Sequence, residues 1–344
     1  MSLLLAALFL APKSLPALRV KGASIVTDQG APVRLRGVNT ACMEWSTDGE
    51  GHLLETLRVA SEDWKSNIVR IPLSQDRWFG KTAEQKDEGK AYRDLVKKAV
   101  DWTTSHGTYV LLDLHWNNAG EWGKNIGQHN MPDRYSVDFW KSCAKEYKNK
   151  PGVLFDLYNE THDITWDLWK NGGPVEERRR VGAGQGTFTP VKYEAPGMQT
   201  LLDTIRATGA NNVVVVGGLD WAYDLSGFLN GYALQDSKKG RGLIYACHAY
   251  NNKGDSVPKF LEKLDAALPK IPVIVSEFGD QGRGAARDQP TPWLTNVLGA
   301  IESRRCNWIA WDLHPAAGPT LITGWDYKPS PNFGVLVKEA LAAP

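Results

Sequence analysis

A chain of 344 residues exceeds the usual domain size but lies within the span that α/β barrels fill as one unit, and its 42% apolar content can furnish a large core. Lys plus Arg and Asp plus Glu nearly cancel to a formal net charge of +1, and no basic stretch is dense enough for a phosphate backbone, which argues against a nucleic-acid partner. Past the N-terminus no apolar run approaches the ~18 residues of a membrane span, so no membrane association is expected.

Residues 3–10 are apolar and give way to Ala11-Pro12-Lys13-Ser14-Leu15-Pro16-Ala17, which reads as a leader segment over residues 1–17 with a small-residue exit. A basic stretch ahead of it is missing, so a merely disordered leader is the alternative. Export is the expectation, to a periplasmic or extracellular location and from a bacterial source. Next, residues 18–26 and 33–36 flank a polar turn at Thr27-Asp28-Gln29-Gly30 and predict a β-hairpin. Strand-like runs then follow at 35–39, 67–72, 109–115, 153–159, 212–217, 243–249, 273–277 and 307–311. Between them, apolar residues at helical spacing predict helices over 92–106, 136–148, 198–208, 257–268 and 291–304. Runs such as Val213-Val214-Val215-Val216 are what a parallel strand buried on both faces requires. The expected fold is an α/β (β/α)8 TIM barrel preceded by the hairpin, a single catalytic domain over 18–344. Residues 171–197, rich in Gly and charge, are expected to form an irregular insertion at the cleft wall.

In such a barrel the reacting groups sit at the C-terminal strand ends, where Arg70, His115, Glu160, His248, Glu277 and Trp311 fall. Glu160 and Glu277 each close an aliphatic run. Two carboxyl groups about 5 Å apart, one protonated and one ionised, can cleave a glycosidic bond with retention. A guanidinium favours the ionised form of a carboxylate, which makes Arg70 the candidate partner of Glu277, and the Tyr250 phenol could donate to the same group. The Asn159 amide could hold a sugar 2-hydroxyl, provided a twist or bulge brings both it and Glu160 to the cleft. His115 could contact substrate hydroxyls, and Trp311 offers a face for a sugar ring.

The chain holds 14 Trp. Trp116, Trp122, Trp166, Trp169, Trp221 and Trp325 follow strand ends and are candidate sugar platforms; Trp64, Trp102, Trp140 and Trp308 read as core. Glu44 and Trp45, beyond the first barrel strand, could reach distal donor sites. Five histidines, His115, His129, His162, His248 and His314, lack His-x-His or HExxH spacing, so no metal and no cofactor is expected. Residues 182–186 superficially suggest a phosphate loop but follow charged residues, and read as a loop instead. The four widely spaced Cys read as buried free thiols.

Taken together, Asn39, Arg70, His115, Asn159-Glu160, His248-x-Tyr250, Ser276-Glu277-Phe278-Gly279 and Trp311 occur in an order that resembles glycoside hydrolase family 5, the cellulase family of retaining (β/α)8-barrel glycosidases. The resemblance runs from the hairpin near Gly22 to the last helix. It implies that Glu160 is the acid/base, Glu277 the nucleophile, and Arg70, His115, Asn159, His248 and Tyr250 the supporting catalytic shell. It also implies that Trp311 and Asn39 bind substrate, joined by the loop candidates Trp116, Trp45, Trp166 and Trp221. Thr161 departs from the family, which commonly has Pro there, and leaves the acceptor side of the cleft open to difference. The expected activity is a monomeric, secreted endo-β-1,4-glucanase acting on a β-linked polysaccharide or oligosaccharide. Its rivals are a β-mannanase, a mixed-linkage glucanase or xyloglucanase of the same family, and a catalytically silent carbohydrate-binding barrel.

Overall fold

Eight parallel strands close on themselves in the computed structural model, which describes residues 15–148, 150–181, 187–254, 256–280 and 290–344. They are β3 (Arg36–Asn39), β4 (Ile68–Ser74), β5 (Tyr109–Trp116), β6 (Val153–Asp156), β9 (Val214–Gly217), β10 (Leu243–Tyr250), β11 (Val273–Gly279) and β12 (Asn307–Ala310), with β12 pairing back to β3. Two antiparallel hairpins supply the rest: β1 (Leu18–Lys21) with β2 (Ser24–Thr27), and β7 (Gly172–Val181) with β8 (Thr187–Pro196). The chain is a (β/α)8 barrel.

Its interior is filled by one aliphatic layer, including Leu35, Ile68, Leu111, Leu154, Val215, Ile244, Ile274 and Ile309, which Leu18 and Ile25 of the first hairpin cover from below. Outward-facing residues of the same strands pack against helices such as Lys90–Ser105, Arg134–Tyr147, Met198–Ala207, Val257–Ala267 and Pro292–Ser303. Trp64, Trp140 and Trp308 are fully buried in this outer layer. Gly37 marks how closely β3 and β4 approach, because a Cβ there would lie 1.7 Å from the Ile68 carbonyl oxygen. All four cysteines are free and buried.

Three boundaries differ from the sequence reading. The first hairpin turns at Gly22, with Lys21 opposite Ser24, while Thr27 to Gly30 forms a second turn after which only Val26 and Pro32 pair. Strand β6 stops at Asp156, four residues before Glu160, although Leu157 and Asn159 still donate to Val215 and Leu114. The insertion at 171–197 is not irregular but a hairpin of two ten-residue strands in register from Gly172↔Pro196 to Val181↔Thr187. Its inward positions Val175, Glu177, Tyr193 and Ala195 are buried while Glu176, Arg178, Lys192 and Glu194 alternate outward. Those outward charges hid a period of two. The leader falls mainly on residues 1–14, and the glycine-rich loop on 182–186, both outside the described residues. Among the described residues no helix is long and apolar enough to cross a membrane.

Candidate active site

A cleft of about 920 Å³ opens at the C-terminal ends of the strands, with His115, Asn159, Glu160, Tyr250, Glu277 and Trp311 in its wall. Glu277 lies within β11, and a register shift between Cys247 and His248 sets His248 directly across from it. Tyr250, two residues on, faces the same way and donates its phenol to Glu277 Oε2 at 2.6 Å. Arg70 Nη1 donates to Glu277 Oε1 at 2.6 Å. Both Glu277 oxygens are therefore oriented by fixed donors.

Arg70 is the single hub of this floor. Fully buried, it donates to Asp156 Oδ2 at 3.0 Å, Asn39 Oδ1 at 3.1 Å and Asn159 Oδ1 at 2.8 Å, and pairs with Asp113 Oδ2 at 3.0 Å. Burial works against its charge, but Asp113, Asp156 and Glu277 outweigh that and hold the guanidinium protonated more firmly than usual. The carboxyls share the strain: burial pushes Asp113 up to about 7 and Asp156 well above its ordinary value, with Arg70 opposing in both. His115 gives Nδ1 to Asp113, and burial followed by the Arg70 charge lowers its pKa to about 3, so the ring is neutral.

Glu160 hangs on the segment beyond β6, where the chain bends at Leu157 and again at Asn159. Those bends break strand alternation and let Asn159 and Glu160 both line the cleft. His248 Nδ1 lies 2.9 Å from Glu160 Oε1, and its Nε2 lies 3.1 Å from Ser276 Oγ. Burial drives His248 down to about 3, leaving a neutral ring with one N–H. Burial also raises the Glu160 pKa, against the opposing pull of His115, His162, Arg70 and Lys253. One ligand-type atom each of Glu160, His248 and Glu277 lie within 4.8 Å of one another. That spacing would admit a metal ion, yet the Glu277 oxygens already accept from Arg70 and Tyr250, and a cation would face the guanidinium at close range. The donor set is that of a hydrogen-bonded carboxylate pair.

Several sequence-assigned residues sit elsewhere. Asn39 is fully buried and cannot meet a substrate: its amide accepts from Arg70 and donates to the carbonyls of Ser276 and Ala310. Trp166 packs on Trp169, Phe228 and Tyr232 and against Gly227, as part of the outer core rather than a sugar platform. Glu44 is buried, accepting from the Cys42 N–H, and does not reach a donor site. Trp45 and Trp116 stand 6.2 Å apart beyond the cleft wall, Trp45 also tied to Glu50 through its indole N–H. Trp221 does line the cleft, stacked on His162 at 4.4 Å with Lys253 Nζ 4.4 Å from its ring centre. Trp311 stacks on His115 at 5.4 Å and lines the cleft beside Glu277. Sequence reasoning missed Asp113, Asp156, Gln128 and Lys253, and gave Ser276 a place in the motif but no partner, where the structure sets it against His248. For Asp113 a signal existed, since it lies two residues before His115 on β5 and therefore on the same face.

The chain thus combines an eight-stranded parallel barrel with paired carboxyls and a buried guanidinium at its mouth. The family model described as cellulase (glycosyl hydrolase family 5) matches residues 26–317, and the chain belongs to that family. Among known relatives, an endoglucanase of Clostridium saccharobutylicum is 21% identical over 94% of this chain and 64% of its own length, and endoglucanase N of Pectobacterium atrosepticum 23% over 95% and 65%. This chain thus spans less than two thirds of the length of these relatives. In solved structures, a β-glucanase of Saccharophagus degradans in complex with cellotetraose superposes with a TM-score of 0.73 at 22% identity, covering 96% of this chain and 94% of that one. The catalytic domain of a Thermobifida fusca endoglucanase gives 0.67 at 18%, covering 95% and 97%. At such identities the likeness carries the fold.

Proposed function

We propose that the chain is a retaining endo-β-glycosidase that hydrolyses internal β-1,4-glucosidic bonds of cellulose-like glucans. The observation that carries the reading is the approach of Glu160 and Glu277 oxygens to within 4.8 Å across the cleft, near the separation of about 5–5.5 Å that double displacement uses. Endoglucanase relatives and a structural neighbour holding cellotetraose support the substrate class.

In the first step Glu277, held by Arg70 and Tyr250, attacks the anomeric carbon while the Glu160 proton passes to the departing glycosidic oxygen. The result is a glycosyl ester on Glu277 and an ionised Glu160. Water then gives its proton to Glu160 and attacks the same carbon, freeing Glu277. Loss of the Glu277 negative charge in the ester lets Glu160 ionise more readily, which allows one group to serve as acid and then as base. Trp311, already stacked on His115, offers its remaining face to the sugar beside the scissile bond. Export, to the periplasm or beyond the cell, and action as a monomer belong to the same reading, resting on the apolar N-terminal run and on a polymeric substrate.

Two variants test the assignment. Glu277→Gln is expected to lose turnover on every substrate, whereas Glu160→Ala should still cleave glycosides with good leaving groups and be accelerated by azide. Ordinary activity in the Glu277 variant would end the nucleophile assignment. Reducing-sugar release from carboxymethylcellulose, lichenan, mannan and xyloglucan checks the substrate: fastest release from mannan would replace glucanase by mannanase.

A further inference from the structure

The loop after β5 and the β7–β8 hairpin meet behind Glu160, outside the cleft lining. Gln128, on that loop, uses its whole amide there. Its Nε2 donates to the Glu160 carbonyl oxygen at 2.6 Å and to the His129 carbonyl at 3.1 Å, and its Oε1 accepts from Asn159 Nδ2 at 3.0 Å. The orientation is set by its partners, since the flipped amide would aim oxygen at oxygen and NH2 at NH2. Asn159 Oδ1 in turn accepts from Arg70 Nη2 at 2.8 Å, and Arg70 also holds Glu277. A directional series of bonds therefore runs from the guanidinium that orients one carboxylate to the backbone that carries the other.

What fixes Gln128 is the hairpin. The ring of the next residue, His129, is bonded through Nδ1 to Glu177 Oε1 of β7 and through Nε2 to the Asn125 carbonyl at 2.6 Å. Glu177 Oε2 accepts from the Asn130 N–H at 2.9 Å, and Tyr193 of β8 bonds both the N–H and the carbonyl of Met131 at 3.0 Å. Tyr158, just ahead of Asn159, bonds the N–H and carbonyl of His129 at 3.1 and 2.9 Å. Burial pushes the Glu177 carboxyl up, but the His129 bonds prevail and keep it below its ordinary range. Loop residues 128–131 are thus pinned at successive positions by buried polar groups of β7, β8 and the Glu160 segment.

We propose that Gln128 is a positioning residue for Glu160, and that the β7–β8 hairpin, anchored by Glu177 and Tyr193, holds Gln128 in place for proton donation. The inference rests on the reading of Glu160 as the acid. A shift of about 1 Å in a proton donor can cost ~100-fold, so a clamp on its backbone acts first on the acid step, while Asn159 and Glu277 keep their bonds to Arg70.

The test compares kcat/KM of aryl β-cellobiosides with poor and good leaving groups, phenyl against 2,4-dinitrophenyl, in the full chain. Gln128→Ala should lower the phenyl rate about tenfold or more and leave the dinitrophenyl rate within about twofold, because only the former needs the proton. Glu177→Gln, which removes the charge beside His129 and turns one of the two acceptor oxygens into a donor, should give the same pattern at smaller amplitude. Gln128→Glu fills the same space and still accepts from Asn159 but cannot donate to the Glu160 carbonyl, so it should not rescue. Equal losses on both substrates, no loss on either, or full rescue by Gln128→Glu would overturn the inference. Glu160→Ala serves as the reference: if it slows both substrates alike, the acid assignment itself falls and takes this proposal with it. A selective Glu160→Ala beside an unselective Gln128→Ala leaves the acid standing and removes only the clamp.

Discussion

Arg70 and Glu277 form a buried ion pair, Nη1 to Oε1 at 2.6 Å, inside a floor where Asp113 and Asp156 also face the same guanidinium. Attraction within such a cluster is offset by desolvation, so the pair is no simple source of stability. Removing the cation they share is another matter, because Asp113, Asp156 and Glu277 would lose their common counter-charge together. Arg70→Ala is expected to cost about 3–5 kcal/mol in urea unfolding, in addition to abolishing activity. Arg70→Lys keeps the charge but not the fork that reaches Glu277, Asn39, Asn159 and Asp156 together, and should lose about 100-fold in kcat while remaining folded. A Lys variant with native kcat would show that charge alone suffices.

Tyr250 supplies the second donor to Glu277 at 2.6 Å, and burial together with the Glu277 charge keeps its phenol protonated far above neutral pH. Hydrogen bonds to charged groups contribute about 1.5–3 kcal/mol, so Tyr250→Phe should reduce kcat by about 10- to 100-fold. The ring still fills its place, and the thermal midpoint should move little. A large drop in midpoint with kcat preserved would assign Tyr250 to packing instead.

Burial raises the Glu160 pKa above its ordinary 4.5. The proposed acid must be protonated to act, so activity should persist above the usual carboxylate range and decline as pH rises through the raised value. In Glu160→Ala that alkaline decline should vanish for dinitrophenyl glycosides. An unchanged alkaline limb would assign it to another group.

The alternation of aliphatic runs and helical spacing disclosed the barrel, because strands buried on both faces leave an unbroken Val, Ile and Leu record, as β9 does. That Glu160, Glu277, Arg70 and Tyr250 meet at one mouth was legible because strand ends in this fold converge. Asn39 was misread because an amide suits a sugar as well as a guanidinium, and only three dimensions reveal that Ser276, Ala310 and Arg70 have taken it. Trp166 was misread for a similar reason: an indole past a strand end has the same composition whether it meets a sugar or Phe228. The hairpin escaped because charged residues alternate with its inward anchors and one anchor, Glu177, is itself charged, and Gln128 because its partners lie on Asn159 and the Glu160 backbone, 31 and 32 positions away.

Glu44 carries the last prediction. Its side chain is buried, with Oε2 accepting from the Cys42 N–H at 2.8 Å. Burial pushes its pKa from 4.5 up to about 8, and Asp113 adds to that, while backbone N–H groups of Glu44 and Cys42 and the Arg70 charge pull the other way. The folded state therefore holds this proton more tightly than the unfolded chain. Its stabilising contribution is complete below about 4.5, erodes as pH rises, and is gone above about 8. Glu44→Gln keeps an acceptor for Cys42 and cannot ionise. Urea unfolding at pH 5 should hardly distinguish it from the parent, whereas at pH 9 the variant should be the more stable by a few kcal/mol. If the two stability curves run parallel from pH 5 to pH 9, Glu44 is not the buried acid described here, and the alkaline loss must be sought at Asp113, Asp156 or Asp312, whose carboxyls burial also raises.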